Sequence, residues 1–197
     1  KARQNNIKKF NFKNKYYKRG ISFNFCKFGI SFTTKFLNTG SAQVNFYLDG
    51  SVHVASQGCE MGNSYSTKVS QVAAHQLGLP VDKIKISATN TYKISNTPPS
   101  AASSTTDLSA MATVNAISNV KQKIAAYVKN KYKLRGDVKG IYKNEKVKFK
   151  GVKEFKFKDL LQEAHLNRVQ LFSSGFYKVP KINFDKKKFK GSPFYYF

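Results

Sequence analysis

The chain has 197 residues, 41% of them hydrophobic, and its 35 Lys and Arg against 10 Asp and Glu give a formal net charge of +25. That is enough for one large domain or two small ones with a real core, and no apolar run is long enough to span a membrane. Cys26 and Cys59 fit neither a disulfide framework nor a zinc pattern, so they read as reduced thiols of a cytosolic, cytoplasmic protein.

Residues 1–20 are polar, basic and aperiodic, the pattern of a linker or frayed end, and residues 21–197 form the domain. From Ile21 the run "ISFNFCKFGISFTTKFLN" is strand-like. "SAQVNFYL" (41–48) and "SVHVASQ" (51–57) flank Asp49-Gly50 and read as a hairpin with a type I′ turn. Val69, Val72, Ala73 and Leu77 share one helical face, which Gly78 and Pro80 end. "KIKISATN" (83–90) alternates as a half-buried strand, and a loop through Pro98 and Pro99 leads to a second helix over 103–127. Its stripe is Ile117, Val120, Ile124 and Val128. "KVKFKGVKEFKF" (146–157) reads as two short strands around Gly151, and 159–169 as a third, weaker helix. The C-terminal residues show no clear period and end on Phe194-Tyr195-Tyr196-Phe197, which, with a start at Lys1, reads as a truncated piece. The fold class is α+β, with mixed strands and two main helices.

Charge is unevenly spread. Residues 1–40 carry ten Lys or Arg and no acid, 118–197 carry twenty-one against six acids, and 41–117 carry four of each. Thirty-one of the basic residues are Lys, whereas base reading and bidentate phosphate clamping favour Arg. Abundant Lys, Asn, Phe, Tyr and Ile together are what an AT-rich genome produces, so the basic residues read as a solvated surface rather than a nucleic-acid footprint. A nucleic-acid-binding alternative would draw on the Lys–Phe interleaving of "KVKFKGVKEFKFK", which strand alternation explains equally well.

His53, His75 and His165 are dispersed, and no metal-binding, nucleophile-elbow or P-loop motif is present. Glu60 beside Cys59 opposes thiolate formation, so Cys59 reads as a small buried residue. Two stretches of the neutral segment remain, "GCEMGNSYSTK" (58–68) and "NTPPSAASSTTDL" (96–108), each just before a helix. Their hydroxyls are ordinary N-caps on one reading. On the other, two helix starts and Gly62 cradle one phosphate-bearing ligand through backbone N–H groups.

Together these motifs resemble the molybdopterin-binding domain of the xanthine dehydrogenase family, in particular the molybdenum subunit of the bacterial type. The matching text is "KRGISFNFCKFGISFTTKFLN", "AQVNFYLDGSVHVASQGCEMGNSYSTKVSQVAAHQLGLPVDKIKISATNT", "NTPPSAASSTTDLSAMATVNA", "VQLFSSGFYKVPKINFD" and "GSPFYYF", in family order across 18–197. The resemblance implies a molybdenum–molybdopterin cofactor and hydroxylation of a purine such as xanthine or hypoxanthine, with a glutamate base. Electrons would leave through iron–sulfur clusters and FAD, on other domains or a partner subunit, to NAD. It implies substrate contact by Phe32 and Thr33. Cofactor contact falls to Met61, Gly62, Asn63, Ala102, Ser103 and Thr105, with the Ala102 backbone near molybdenum. The family's catalytic glutamate and its glycine-rich loop have no counterpart; Glu60, Glu145, Glu154 and Glu163 do not match, so no catalytic residue is assigned and the isolated chain is expected to be inactive. The implied partners are the purine, the FAD/iron–sulfur subunit or domain, and the remainder of the molybdenum subunit, with neither membrane nor nucleic acid. Where the family writes Gly-Gln-Gly after Glu-Met, this chain has Gly62-Asn63-Ser64, and Ser64 does not take a positive φ cheaply, which motivates the alternative of a decayed structural remnant that keeps the fold without cofactor.

Overall fold

The computed structural model describes residues 1–101 and 104–196 (for Ile30 and Tyr196, the backbone only). They form two compact units, Lys1–Gly29 with the C-terminal residues from Tyr195, and Ile30–Phe194.

In the first unit, Ala2–Lys13 is a helix, α1, where the lack of period had read as a linker. Ala, Arg, Gln and Lys are good helix formers, and a missing apolar stripe means only that no side faces a core. None of the α1 residues is buried. The chain after it folds back: the Asn11 side chain bonds both the N–H and the carbonyl of Arg19, whose guanidinium lies 3.8 Å from the Phe10 ring centroid. Of the strand-like run from Ile21, Phe28–Ile30 alone becomes a strand (β1), paired with the last one, Phe194–Tyr196. Phe23 and Phe25 alternate correctly but stay exposed, since among the described residues no strand lies beside them.

The second unit is built on a four-stranded sheet of order β4-β3-β2-β8, formed by Thr39–Phe46 (β2), Val52–Ser56 (β3), Ile84–Ile86 (β4) and Phe172–Lys178 (β8). β2 is antiparallel to β3 and β8, while β3 and β4 are parallel. Parallel neighbours need a crossover, and helix α2 (Tyr65–Leu77) supplies it. The long helix α3 (Ser104–Lys131) lies across β2 and β8 with Ile117, Val120, Ile124 and Val128 fully buried. Two glycines permit that approach: a methyl on Gly40 would overlap the Leu108 carbonyl, and one on Gly175 the Ala112 carbonyl.

A second layer follows α3. Gly140–Lys143 (β5), Lys146–Phe149 (β6) and Phe155–Lys156 (β7) form a three-stranded sheet that leads into α4 (Phe157–Leu166). Val147, Phe149, Phe157, Leu160 and Leu161 join the main core cluster. Asn183–Asp185 (β9) and Lys190–Ser192 (β10) then pair, before the terminal strand, β11. The fold is α+β.

Turn chemistry differs from expectation at one point. The β2–β3 connection is a three-residue loop: Tyr47 N–H bonds Ser51 O, Gly50 N–H bonds Tyr47 O, and Gly50 alone takes positive φ (87°). That is a turn with a glycine bulge rather than type I′. The two-residue loop with both residues left-handed is instead Asn144-Glu145 (φ 50° and 57°), between β5 and β6. Its Glu145 N–H bonds Gly78 O at 2.8 Å, so contacts at the end of α2 hold a conformation that a glutamate does not favour alone.

Candidate functional site

Ser56 ends β3, and the chain leaves through Gln57 and Gly58 into the loop that starts α2. Gly58 has no side chain because the Tyr65 ring occupies that space. The Tyr65 hydroxyl accepts the Gly58 N–H at 3.0 Å and bonds the Ser56 hydroxyl. Gln57, buried, reaches across to β2, accepting Ser41 N–H at 2.8 Å and donating to Thr39 O at 3.3 Å. Thr89, just past β4, donates to Gly58 O at 2.6 Å. Gly58 is therefore fixed on several sides, beyond the C-terminal ends of the parallel strands β3 and β4, where open α/β sheets place their ligands.

Glu60 explains the lone acid in this loop. One carboxylate oxygen accepts Gly62 N–H (3.2 Å) and Ser64 N–H (3.0 Å), and the other accepts Ser66 N–H (3.1 Å). Those bonds, that from Ser66 foremost, hold the carboxyl below its ordinary pKa. The positive end of α2 has thus found its anion within the chain. Asn63 Oδ1 accepts Met61 N–H (3.4 Å) and Tyr65 N–H (3.3 Å), and Lys68 donates to Asn63 O at 2.8 Å. Gly62 stands at φ 85° and Ser64 at φ 56°. Ser64 occupies the left-handed region despite its side chain.

The second stretch meets the first directly: Cys59 N–H donates to Ser100 Oγ at 2.9 Å, forty-one positions along the chain. Beyond it, Thr105 Oγ1 accepts Ala101 N–H at 2.7 Å, and Ser104 Oγ donates to Ala101 O at 2.6 Å. The hydroxyls of the first turn of α3 thereby hold the Ala101 backbone, and Thr105 is buried. Asp107, in the same first turn, is half-buried; desolvation raises its carboxyl, partly offset by the Lys68 cation on α2.

The predicted site residues fall unevenly on this geometry. Met61, Gly62 and Asn63 lie together, Met61 largely exposed and Gly62 facing open space where even an added methyl meets nothing within 4 Å. Thr105 sits behind the adjoining loop. Ala102 and Ser103 lie outside the described residues. Phe32 and Thr33 belong to the loop entering β2, at the same end of the sheet as Gln57. The Phe32 backbone is clasped by buried Asn38, which accepts its N–H at 2.7 Å and donates to its carbonyl at 3.1 Å, and Thr33 is exposed. No hydrogen bond or ring contact joins Phe32 or Thr33 to Met61–Asn63 among the described residues.

Cys59 is exposed, not buried as its neighbour Glu60 had implied, because Glu60 turns to α2 and leaves the thiol at the loop surface. Sequence reasoning also missed the parts of Tyr65, Ser100 and Asn38. Gly58 seven residues before a tyrosine was the available signal for Tyr65; Ser100 and Asn38 act through contacts that no local pattern announces. Among the described residues no cluster of three or more His, Cys, Asp or Glu could hold a metal ion, and no helix is long and apolar enough to cross a membrane. Glu60, Asn63 and Ser100 take the N–H groups of Cys59, Met61, Gly62, Ser64, Tyr65 and Ser66. The described residues of the site therefore offer a fixed loop surface with the Asn63 side chain and an open glycine, and no protein ligands for a bare metal.

Comparison with known proteins gives the family. The sequence matches a family described as the molybdopterin cofactor-binding domain over residues 1–197. It is 37% identical over 196 residues to a xanthine dehydrogenase/oxidase of Gallus gallus, covering all of this chain and 13% of that protein. It is 39% identical over 188 residues to a xanthine dehydrogenase of Oryza sativa subsp. japonica, covering 95% of this chain and 12% of the relative. A CO dehydrogenase from Oligotropha carboxidovorans shares the fold at a TM-score of 0.63 and 22% identity, over 73% of this chain and 19% of that one. The chain thus spans about an eighth of the length of the curated relatives it matches. It belongs to the molybdopterin cofactor-binding domain family.

Proposed function

We propose that this chain supplies one wall of the molybdenum-cofactor pocket in a xanthine dehydrogenase-type hydroxylase acting on purines. The observation that carries the reading is the Cys59–Ser100 hydrogen bond. It joins the two loops into one surface, with the open Gly62 on one side and the start of α3 on the other.

The residues fit a large polar cofactor lying over that surface. They do not fit a phosphate seated in the first turn of α2, because Asn63 already takes the Tyr65 N–H and Glu60 the Ser66 N–H. Met61, Gly62 and Asn63 would lie along the pterin, and Gly62 keeps that approach clear. Ala102 and Ser103 would meet it at the start of α3, with the Ala102 backbone nearest molybdenum and Thr105 fixing the loop from behind. When bound, the cofactor supplies two-electron oxidation of the substrate carbon. Phe32 would stack against the purine and Thr33 bond its edge. The catalytic glutamate, the rest of the pocket and the iron–sulfur and FAD centres would come from the remainder of a cytoplasmic enzyme.

The test is molybdenum per chain and xanthine-dependent NAD reduction, measured on the complete enzyme proposed here. Near-stoichiometric metal with purine turnover is expected. Metal-free protein overturns the cofactor reading, and metal with no purine turnover overturns the substrate class. The 197-residue chain alone should be silent, and purine-dependent NAD reduction by it would contradict the proposed division of the site.

A further inference from the structure

Lys121 is the least ordinary of the thirty-one lysines. It sits mid-way along α3, half-buried, with its Nζ donating to the carbonyl of Gln76 in the last turn of α2 and standing 4.1 Å from the centroid of the Tyr142 ring. Ser118, Gln122, Val138, Gly140 and Tyr142 line with it a cavity of about 390 Å³. Asp137 and Lys139 also border this cavity, but they are exposed and paired with each other at 2.9 Å, so the carboxylate is already engaged. The Tyr142 hydroxyl is buried with no partner, and burial raises its pKa, so it stays neutral and supplies no anion for the ammonium. Burial lowers the Lys121 amine to about 8.

We propose that Lys121 is a covalent modification site that takes short acyl groups from thioester donors, its cavity housing the acyl chain. The neutral amine attacks the thioester carbonyl. A C–N bond forms, the C–S bond breaks with its electron pair leaving on sulfur, and the proton lost from nitrogen goes to the thiolate or to solvent. The amide product keeps one N–H for the Gln76 carbonyl, while its charge over the Tyr142 ring is lost. Acylation therefore removes the cation–π contact and leaves the link between α2 and α3 in place. This site is separate from the loops at Cys59 and Ser100 and does not depend on the cofactor reading.

The experiment treats natively folded protein with limiting S-acetyl-N-acetylcysteamine between about pH 6.5 and 9.5 and reads each lysine's acetylation by peptide mass spectrometry; an amine titrating about two units below a free lysine, less the nucleophilicity lost with basicity, should react about tenfold faster than the median lysine near pH 7.5. The Lys121 rate should level off above about pH 8.5, while the exposed lysines keep rising toward pH 10. In urea the preference should vanish. A Lys121 rate no greater than the median lysine, or a preference that survives unfolding, overturns the proposal.

Discussion

Glu60 performs at a single residue what a bound anion performs at many helix starts. Its carboxylate is solvent-exposed yet accepts three N–H groups from Gly62, Ser64 and Ser66, which depress its pKa. For a lowered carboxyl, the stabilisation is present above the unfolded-state value and is lost as pH falls through the folded value. Glu60→Gln should therefore lower the denaturation midpoint at neutral pH, with the gap to the natural protein closing as pH falls below the ordinary glutamate value and through the depressed folded one. A gap that persists at low pH would mean that the side chain acts through shape rather than charge. Ser64, four residues on, stands at φ 56°. A left-handed L-residue costs about 1–2 kcal/mol, and glycine returns part of that as chain entropy, so Ser64→Gly should gain about 0.5–1 kcal/mol in urea unfolding. A loss of stability would show that the Ser64 side chain contributes more than its backbone strain removes.

At the scale of elements, the helix on the sheet is the contact that holds the site in place. α3 approaches β2 and β8 so closely that Gly40 and Gly175 face its backbone. A methyl at Gly175 must push the helix outward, and overpacking of this kind typically costs about 1–3 kcal/mol or more. Gly20→Ala, where nothing lies within 4 Å of the added methyl, should stay within about 0.5 kcal/mol. Equal effects in urea unfolding would refute the close approach. Both main helices were legible in sequence because their buried faces repeat at 3.6 residues: Val69, Ala73 and Leu77, then Ile117, Val120, Ile124 and Val128. The β2–β3 hairpin was legible from alternation. The Asn144-Glu145 turn was not, since long-range bonds to Gly78 and Phe157 impose its left-handed residues. Helix α1 was missed because it buries nothing and so leaves no period. At the site, Met61–Asn63 could be placed before a helix. The link from Cys59 to Ser100 could not, because pairing across forty-one positions depends on how α2 and α3 pack.

For the whole molecule, charge is the unresolved quantity. Thirty-five cations face ten acids, and three lysine–carboxylate pairs form among the described residues, all with partly or largely exposed partners. Pairs of that kind contribute little, so the positive charge is largely uncompensated by carboxylates. Net charge of this size works against compactness by self-repulsion. Screening relieves repulsion, with a Debye length of about 30 Å at 0.01 M and about 8 Å at 0.15 M salt. Thermal stability should therefore rise with added sodium chloride over that range. A chain held together by its ion pairs would instead lose stability. The same measurement bears on the basic surface as a binding face. Bare charge predicts that any oligonucleotide binds weakly, without sequence preference, and is released as counterions compete. The lysines are spread through both flanks of the neutral 41–117 stretch rather than gathered on one element, which favours that outcome. Two oligonucleotides of equal length and different sequence, titrated at low and near-physiological salt, decide the matter. A preference that survives at about 0.15 M salt would require base-reading contacts, and the solvated-surface reading would then fail.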